Sequence, residues 1–170
     1  VANDILTAAQ LNTHLRDNML ETAPAKATTA SGYFVTTGTN AIAQRVPAKS
    51  FIATAETTTS TAYVDLATAG PSVTVTTGTR ALIFHRCRME NSTANVGSFQ
   101  SWAISGATVR SAASRTACTI DGIAAANFVQ IGDVDMLTDL TAGSNTFACK
   151  YQVGAGTGTF SNRFIAVMPL

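Results

Sequence analysis

A chain of 170 residues is the size of one domain, or of one domain with an appendage, and is long enough to bury a core. Only 12% of it is charged and the net charge is +1, which leaves no clustered basic footprint for nucleic acid and little repulsion to keep copies apart. No apolar run approaches the ~20 residues of a membrane span, and the first residues lack the basic-then-apolar order of a signal peptide, so a soluble chain without export signal or membrane partner is expected. About one residue in six is threonine, which with valine and alanine favours strands and a hydroxyl-covered sheet exterior.

In chain order, Ala8 to about Glu21 reads as a helix. Thr7 and Gln10 form a capping box, and Leu6 with Leu11 a hydrophobic staple. Ala8, Leu11, Leu15 and Met19 fall on one narrow stripe that needs a partner, because a lone helix of ~14 residues is marginal in water. That partner is the sheet of its own domain, copies of itself, or another protein. Thr22–Gly32, small residues with one proline, reads as an extended linker, and Tyr33–Ala48 as a short hairpin turning at Gly38. Val35-Thr-Thr-Gly-Thr returns at Val75, which is shared turn chemistry and not a repeat.

Beyond residue 50, strand patterns arrive at regular spacing: Phe51–Thr54, Ala62–Leu66, Ser72–Thr76, Arg80–Met89, Phe99–Ser105, Cys118–Ile120, Asn127–Leu137, Asn145–Val153 and Arg163–Met168. Gly70–Met89 reads as a hairpin through Thr77-Gly78. On its second strand Ala81, Ile83, His85, Cys87 and Met89 face the core, and Leu82, Phe84, Arg86, Arg88 and Glu90 face outward. Something must cover Leu82 and Phe84, either a second sheet or a neighbouring subunit. The expected fold is mainly β: a docking helix (1–22), an extended linker with a short hairpin (23–50), and a jelly-roll-like antiparallel sandwich (51–170). Its last strand, apolar on both faces, is expected to be buried to the end.

Residues able to carry chemistry are few. Cys87 and Cys149 fall on buried faces; with Cys118 they are expected to be free thiols, although a Cys87–Cys149 pair stays open. His85 lies among apolar strand residues and is expected to be a hydrogen-bonded structural histidine; His14 lies on the helix. Asp133 and Asp135, with Asp139 nearby, form a solvated edge face more readily than a calcium site or a glycosidase pair. Arg86 and Arg88 read as a solvated or ion-paired face, Trp102 as core, Asn91-Ser-Thr as a polar turn, and Gly154-Ala-Gly-Thr-Gly as a flexible hairpin without the helix a phosphate loop requires. No cofactor, metal or enzymatic activity is expected.

The helix motif Leu6-Thr-Ala-Ala-Gln-Leu-Asn-Thr-His-Leu-Arg-Asp-Asn18, within a match from Asp4 to Asn18, resembles the opening of virion proteins of tailed bacteriophages, those of actinobacterial phages in particular. The hairpin Gly-Tyr-x-x-x-Thr-Gly-x-Asn through Pro47 extends the match from Gly32 to Pro47. Glu56–Leu66, Gly70–Val75, Leu140–Phe147 and Phe164–Leu170 resemble the sandwich modules such proteins display. The resemblance implies a structural protein of the virion, assembled in the host bacterial cytoplasm. It is compatible with a minor tail or fibre protein and equally with a capsid decoration or head-fibre protein. Other virion proteins are its implied partners. Leu11, Leu15 and Met19 on the helix and Leu82 and Phe84 on the sheet are the candidate docking and assembly residues, with a homotrimer as the expected state. The alternatives are a host-surface glycan-binding module using the loops Asn91–Ser98 and Ser105–Thr116, and, further off, a cell-wall depolymerase.

Overall fold

The structure is a computed structural model that describes residues 7–20 and 26–170, with Asn18 and Leu20 described by backbone only. Leu6 of the expected staple, Glu21 at the end of the expected helix and residues 22–25 of the expected linker lie outside the described residues. The chain divides into two compact units, Val1–Val46 and Pro47–Leu170.

In the first unit, helix α1 (Ala8–Leu20) opens with the reciprocal cap its sequence calls for. The Thr7 N–H donates to Gln10 Oε1 at 2.9 Å and the Gln10 N–H to Thr7 Oγ1 at 3.2 Å. Strands β1 (Tyr33–Gly38) and β2 (Ala41–Arg45) pair as a hairpin. The turn falls one step beyond Gly38, at Thr39-Asn40, where Asn40 takes a left-handed conformation with φ of 56°. Asparagine is among the few non-glycine residues that adopt it readily. Part of the expected linker is tied down: Gln44 Oε1 accepts the Thr28 and Thr29 N–H groups at 2.8 and 3.0 Å, and its amide donates to the Thr29 carbonyl.

The second unit is a two-layer sandwich. Its strands are β3 (Ala48–Ile52), β4 (Glu56–Thr58), β5 (Ser72–Thr77), β6 (Ala81–Asn91), β7 (Ser98–Gly106), β8 (Cys118–Ile120), β9 (Val129–Leu137), β10 (Gly143–Val153) and β11 (Gly158–Pro169). One sheet runs β3-β11-β6-β9, with β4 also on β11; the other runs β5-β10-β7-β8. Every pairing is antiparallel. Apart from β4, this is the order of a jelly roll, in which the chain passes repeatedly between two four-stranded layers. The expected strand at Ala62–Leu66 is reduced to a single bridge, Val64 to Tyr151.

Two expected hairpins are crossovers. β5 and β6 lie in opposite sheets, β5 on β10 and β6 between β11 and β9. The backbone of the connection bonds elsewhere: Gly78 N–H to Leu170 O, Leu170 N–H to Arg80 O and Leu140 N–H to Thr79 O. Crossing places both alternating faces in one interior, Val73, Val75 and Thr77 from one layer and Ile83, His85, Cys87 and Met89 from the other. It also gives the eleven-residue β6 a partner along each edge. The Gly154–Thr157 turn likewise joins β10 to β11 across the layers. It is pinned, with Gly154 N–H on Gly97 O, Thr157 N–H on Ser92 Oγ and buried Asn91 Nδ2 on Ala155 O.

Trp102, Phe147, Tyr151, Phe160, Ile165 and Val167 fill the space between the sheets. Cys87, Cys118 and Cys149 lie there as free, buried thiols, and burial pushes Cys118 and Cys149 up to about 12. β11 carries an irregularity between Ser161 and Phe164, with Asn162 at φ 49°, that lets both Phe160 and Arg163 point inward. Arg163 is fully buried and pairs with Glu56 at 3.0 Å.

Candidate functional site

The outer face of the β3-β11-β6-β9 sheet is apolar where a solvated sheet would be polar. On β6, Leu82 and Phe84 face outward as expected. Register then decides what lies beside them: Leu82 is flanked by Met168 and Met136, and Phe84 by Ala166 and Val134. One row on, Arg86 sits between Phe164 and Gly132, and Phe51 pairs with Phe164 on the far side. Phe51, Phe84, Val134 and Met136 are 52%, 38%, 53% and 58% exposed, and Leu82, Phe164, Ala166 and Met168 are half-buried. A contiguous apolar field of this kind is what marks interaction sites on soluble domains.

Gly132 opens a hollow of about 310 Å³ in this field, lined by Phe84, Arg86, Asp133, Val134 and Phe164. A side chain there would meet Arg86 Cβ and the His85 carbonyl at 2.9 Å, so glycine is required by close packing against β6. Among the described residues Arg86 and Arg88 have no ion-pair partner, unlike the ion-paired alternative expected of them. They lie over aromatic rings, Arg86 5.1 Å from the centre of Phe164 and Arg88 4.0 Å from that of Phe128, and form a cationic rim to the field.

The opposite side of β9 matches the expected solvated edge at Asp133 and departs from it at Asp135. Asp133 and Asp135 sit across from His85 and Ile83, on the core-facing side of an edge strand. Asp133 is exposed and its Oδ1 accepts the Val134 N–H at 2.8 Å, while Asp135 is half-buried with Oδ2 unpartnered. Inward charges on an edge strand oppose pairing with another chain, so this edge is guarded while the apolar face beside it is open. Asp139 is elsewhere, paired with Arg110 at 2.6 Å. Among the described residues no group of three or more His, Cys, Asp or Glu is placed to hold a metal ion.

His85 is buried as expected and faces the Gln100 side chain, whose hydrogen bonding favours the charged ring, although neither imidazole nitrogen meets a partner at good geometry. The Gln100 amide also donates to Cys149 Sγ and its carbonyl takes Cys118 Sγ–H, while Asp133 and Asp135 lie opposite on the inward side of β9. Burial lowers the imidazole pKa, and Asp133, Asp135 and the Gln100 side chain oppose that shift without cancelling it. Such an enclosed ring is part of the core between the sheets.

On α1, Leu11, Leu15 and Met19 are 47%, 54% and 69% exposed along one stripe. Sequence reading found Leu82 and Phe84 but not Phe51, Val134, Met136, Phe164 or Met168 as their companions. Each stood in a recognised or adjacent strand, and only strand order could assemble them. Of the expected recognition loops, Asn91–Ser98 is held against the Gly154–Thr157 turn, while Ser105–Thr116 folds back over the outside of the second sheet through Arg110 on Ile104 and Ala113 on Ser101.

No family model matches the chain, and no curated protein matches it. Among solved structures it is similar to Eiger TNF from S. frugiperda, at 13% identity over 74% of this chain and 92% of that one, with a TM-score of 0.51. A structure of infectious bursal disease virus, Gx strain, follows at 11% identity over 79% of this chain and 36% of that one, TM-score 0.48. TmCBM61 in complex with beta-1,4-galactotriose stands at 9% identity, 82% and 83% coverage and 0.36. At these identities only the fold is shared, and the last two scores support nothing further. Fold and site together define a jelly-roll β-sandwich with one guarded edge and one open apolar sheet face.

Proposed function

We propose that the chain is a structural protein of a tailed-phage particle, displayed on its exterior, whose sandwich associates with copies of itself as a trimer while α1 supplies an anchor to the particle. One observation carries this reading: the apolar outer face around Phe84, bounded by stacked arginines. The helix and hairpin motifs that resemble phage virion proteins supply the setting, tail or capsid. A second copy is the favoured occupant because so weakly charged a chain opposes its own association little, and because Arg86, Arg88, Glu90 and Lys49 mix both signs around the field.

Geometry bounds the interface. Four strands ~4.8 Å apart and five residues at ~3.3 Å each give a field of roughly 15 by 15 Å before side-chain margins. That is the core of an interface, and the polar rim must close as well to approach the ~800 Å² per partner of a stable complex. The reading assigns the chain no catalysis.

The test is the mass of the full chain by light scattering across dilution, beside Phe84→Lys and Val134→Lys. The expected result is three times the 17.6 kDa chain mass for the parent and a shift to the monomer in both variants. A monomeric parent at every concentration, or trimers indifferent to both lysines, sinks the trimer. Peptide mass spectrometry of density-banded particles tests the virion assignment separately.

A further inference from the structure

On the opposite side of the sandwich from the apolar field, the outer face of β5-β10-β7-β8 holds a groove of about 460 Å³, lined by Ala62, Tyr63, Ala103, Ser111, Lys150 and Gln152. Two irregular segments wall it. Residues 60–65 run beside the end of β10 where β5 has stopped: Val64 and Tyr151 exchange backbone hydrogen bonds at 2.9 Å, and Gln152 Nε2 donates to Thr61 O at 2.6 Å. Because Val64 pairs with inward Tyr151, strand alternation turns Tyr63 and Asp65 outward, beside Lys150 and Gln152. The other wall is fastened to β7. Arg110 and Ile104 exchange backbone bonds at 2.8 and 2.9 Å, and Ser101 Oγ engages Ala113 O and Thr116 Oγ1 at 2.9 Å. Tyr63 Oη reaches across to Ser114 Oγ at 3.4 Å and links the two walls.

We infer that this groove is a binding site for a neutral saccharide. Its volume lies within the ~300–1,000 Å³ of ligand pockets. The lining is amphipathic: a tyrosine ring and three alanine-sized surfaces, counting Ala112, set against the Ser111 hydroxyl and the Gln152 amide. The one cation, Lys150, is already neutralised by Asp65 at 2.6 Å, so no spare charge favours a phosphate, a sulfate or a uronate. Burial holds the Tyr63 hydroxyl above its ordinary pKa, and it stays a neutral donor and acceptor. A sugar ring offers the matching surface, with an apolar C–H face for the aromatic and equatorial hydroxyls for the polar groups. This proposal does not depend on the trimer: the groove and the apolar field occupy opposite faces, so one can bind while the other assembles.

The experiment is saturation-transfer NMR of the full chain with cellotriose, β-1,4-galactotriose and maltotriose at millimolar concentration, and with trigalacturonate as the charged comparison. The expected result is transfer to at least one neutral trisaccharide and none to trigalacturonate. Tyr63→Ala should weaken binding about tenfold. Ser111→Trp, which fills the groove from its exposed wall, should abolish it in a chain that folds normally, and Val134→Lys on the far face should leave it unchanged. Silence from all three neutral sugars, selective binding of trigalacturonate, or binding indifferent to Ser111→Trp overturns the assignment.

Discussion

Replacing Arg163 by methionine tests how one end of the sandwich is closed. The guanidinium is fully buried, with Nη2 3.0 Å from Glu56 Oε2 and Nη1 donating to Thr68 O at 3.1 Å. Longer bonds of 3.5 Å reach Gly70 O and Thr54 O, and the group lies 5.6 Å from the centre of the Tyr151 ring. A single β11 residue therefore ties together Thr54, Glu56, Thr68 and Gly70 of the connection between β3 and β5. Removing one partner of a buried ion pair costs ~3–5 kcal/mol. Glu56 keeps the Thr68 hydroxyl at 2.6 Å and the Thr68 N–H at 3.1 Å and is 13% exposed, and methionine preserves most of the packing, so the lower end applies. The expected loss is about 3 kcal/mol, read by urea unfolding, with Tm down by about 10 °C. The double variant with Glu56→Gln should recover part of the loss, because the stranded carboxylate is then neutral. An Arg163→Met chain within about 0.5 kcal/mol of the parent refutes the reasoning. The pH dependence follows in sign. Thr68 hydrogen bonds first, and Arg163 after burial's opposing effect, hold the Glu56 carboxyl below its usual range. Its contribution is thus in place above about pH 4.3 and lost as pH falls through the lower folded value.

His85→Leu should leave the fold intact and raise its stability by up to about 1 kcal/mol, because a buried imidazole whose nitrogens lack a well-formed hydrogen bond is exchanged for an apolar side chain. Because the folded pKa lies below the unfolded one, the parent loses stability as pH falls through about 6.5 and the unfolded chain takes up the proton. Tm measured at mildly acid and at neutral pH should show that slope in the parent and not in the variant; an identical slope in both excludes His85 as its source. The three thiols should resist Ellman's reagent at pH 8 in the native chain and react together in urea, since each is buried and its pKa raised. Rapid native labelling of any one contradicts the packed core.

Local signals were legible wherever a residue's role depends on near neighbours in the chain. The Thr7–Gln10 cap, the inward face of β6 and the burial of Trp102 and of the three cysteines are set by capping chemistry and period-two alternation alone, and they read directly. So did the strand-rich composition and the spacing that imply a jelly roll. Leu82 and Phe84 could be recognised as outward apolar residues for the same reason.

What alternation cannot encode is the identity of a strand's neighbour. Thr77-Gly78 suits a hairpin, yet β6 gains two long partners by crossing to the other sheet, and no residue between Val75 and Ala81 announces that. The same non-local pairing gathers Phe51, Val134, Met136, Phe164 and Met168 around Phe84, turns Asp133 and Asp135 inward on an edge, and brings Tyr63 to Lys150 and Gln152. It also buries Arg163 against Glu56. The sequence by itself determined which faces are apolar. The tertiary structure decided which faces meet, because strand pairing is settled by the combined burial of both sheets and not by any one strand.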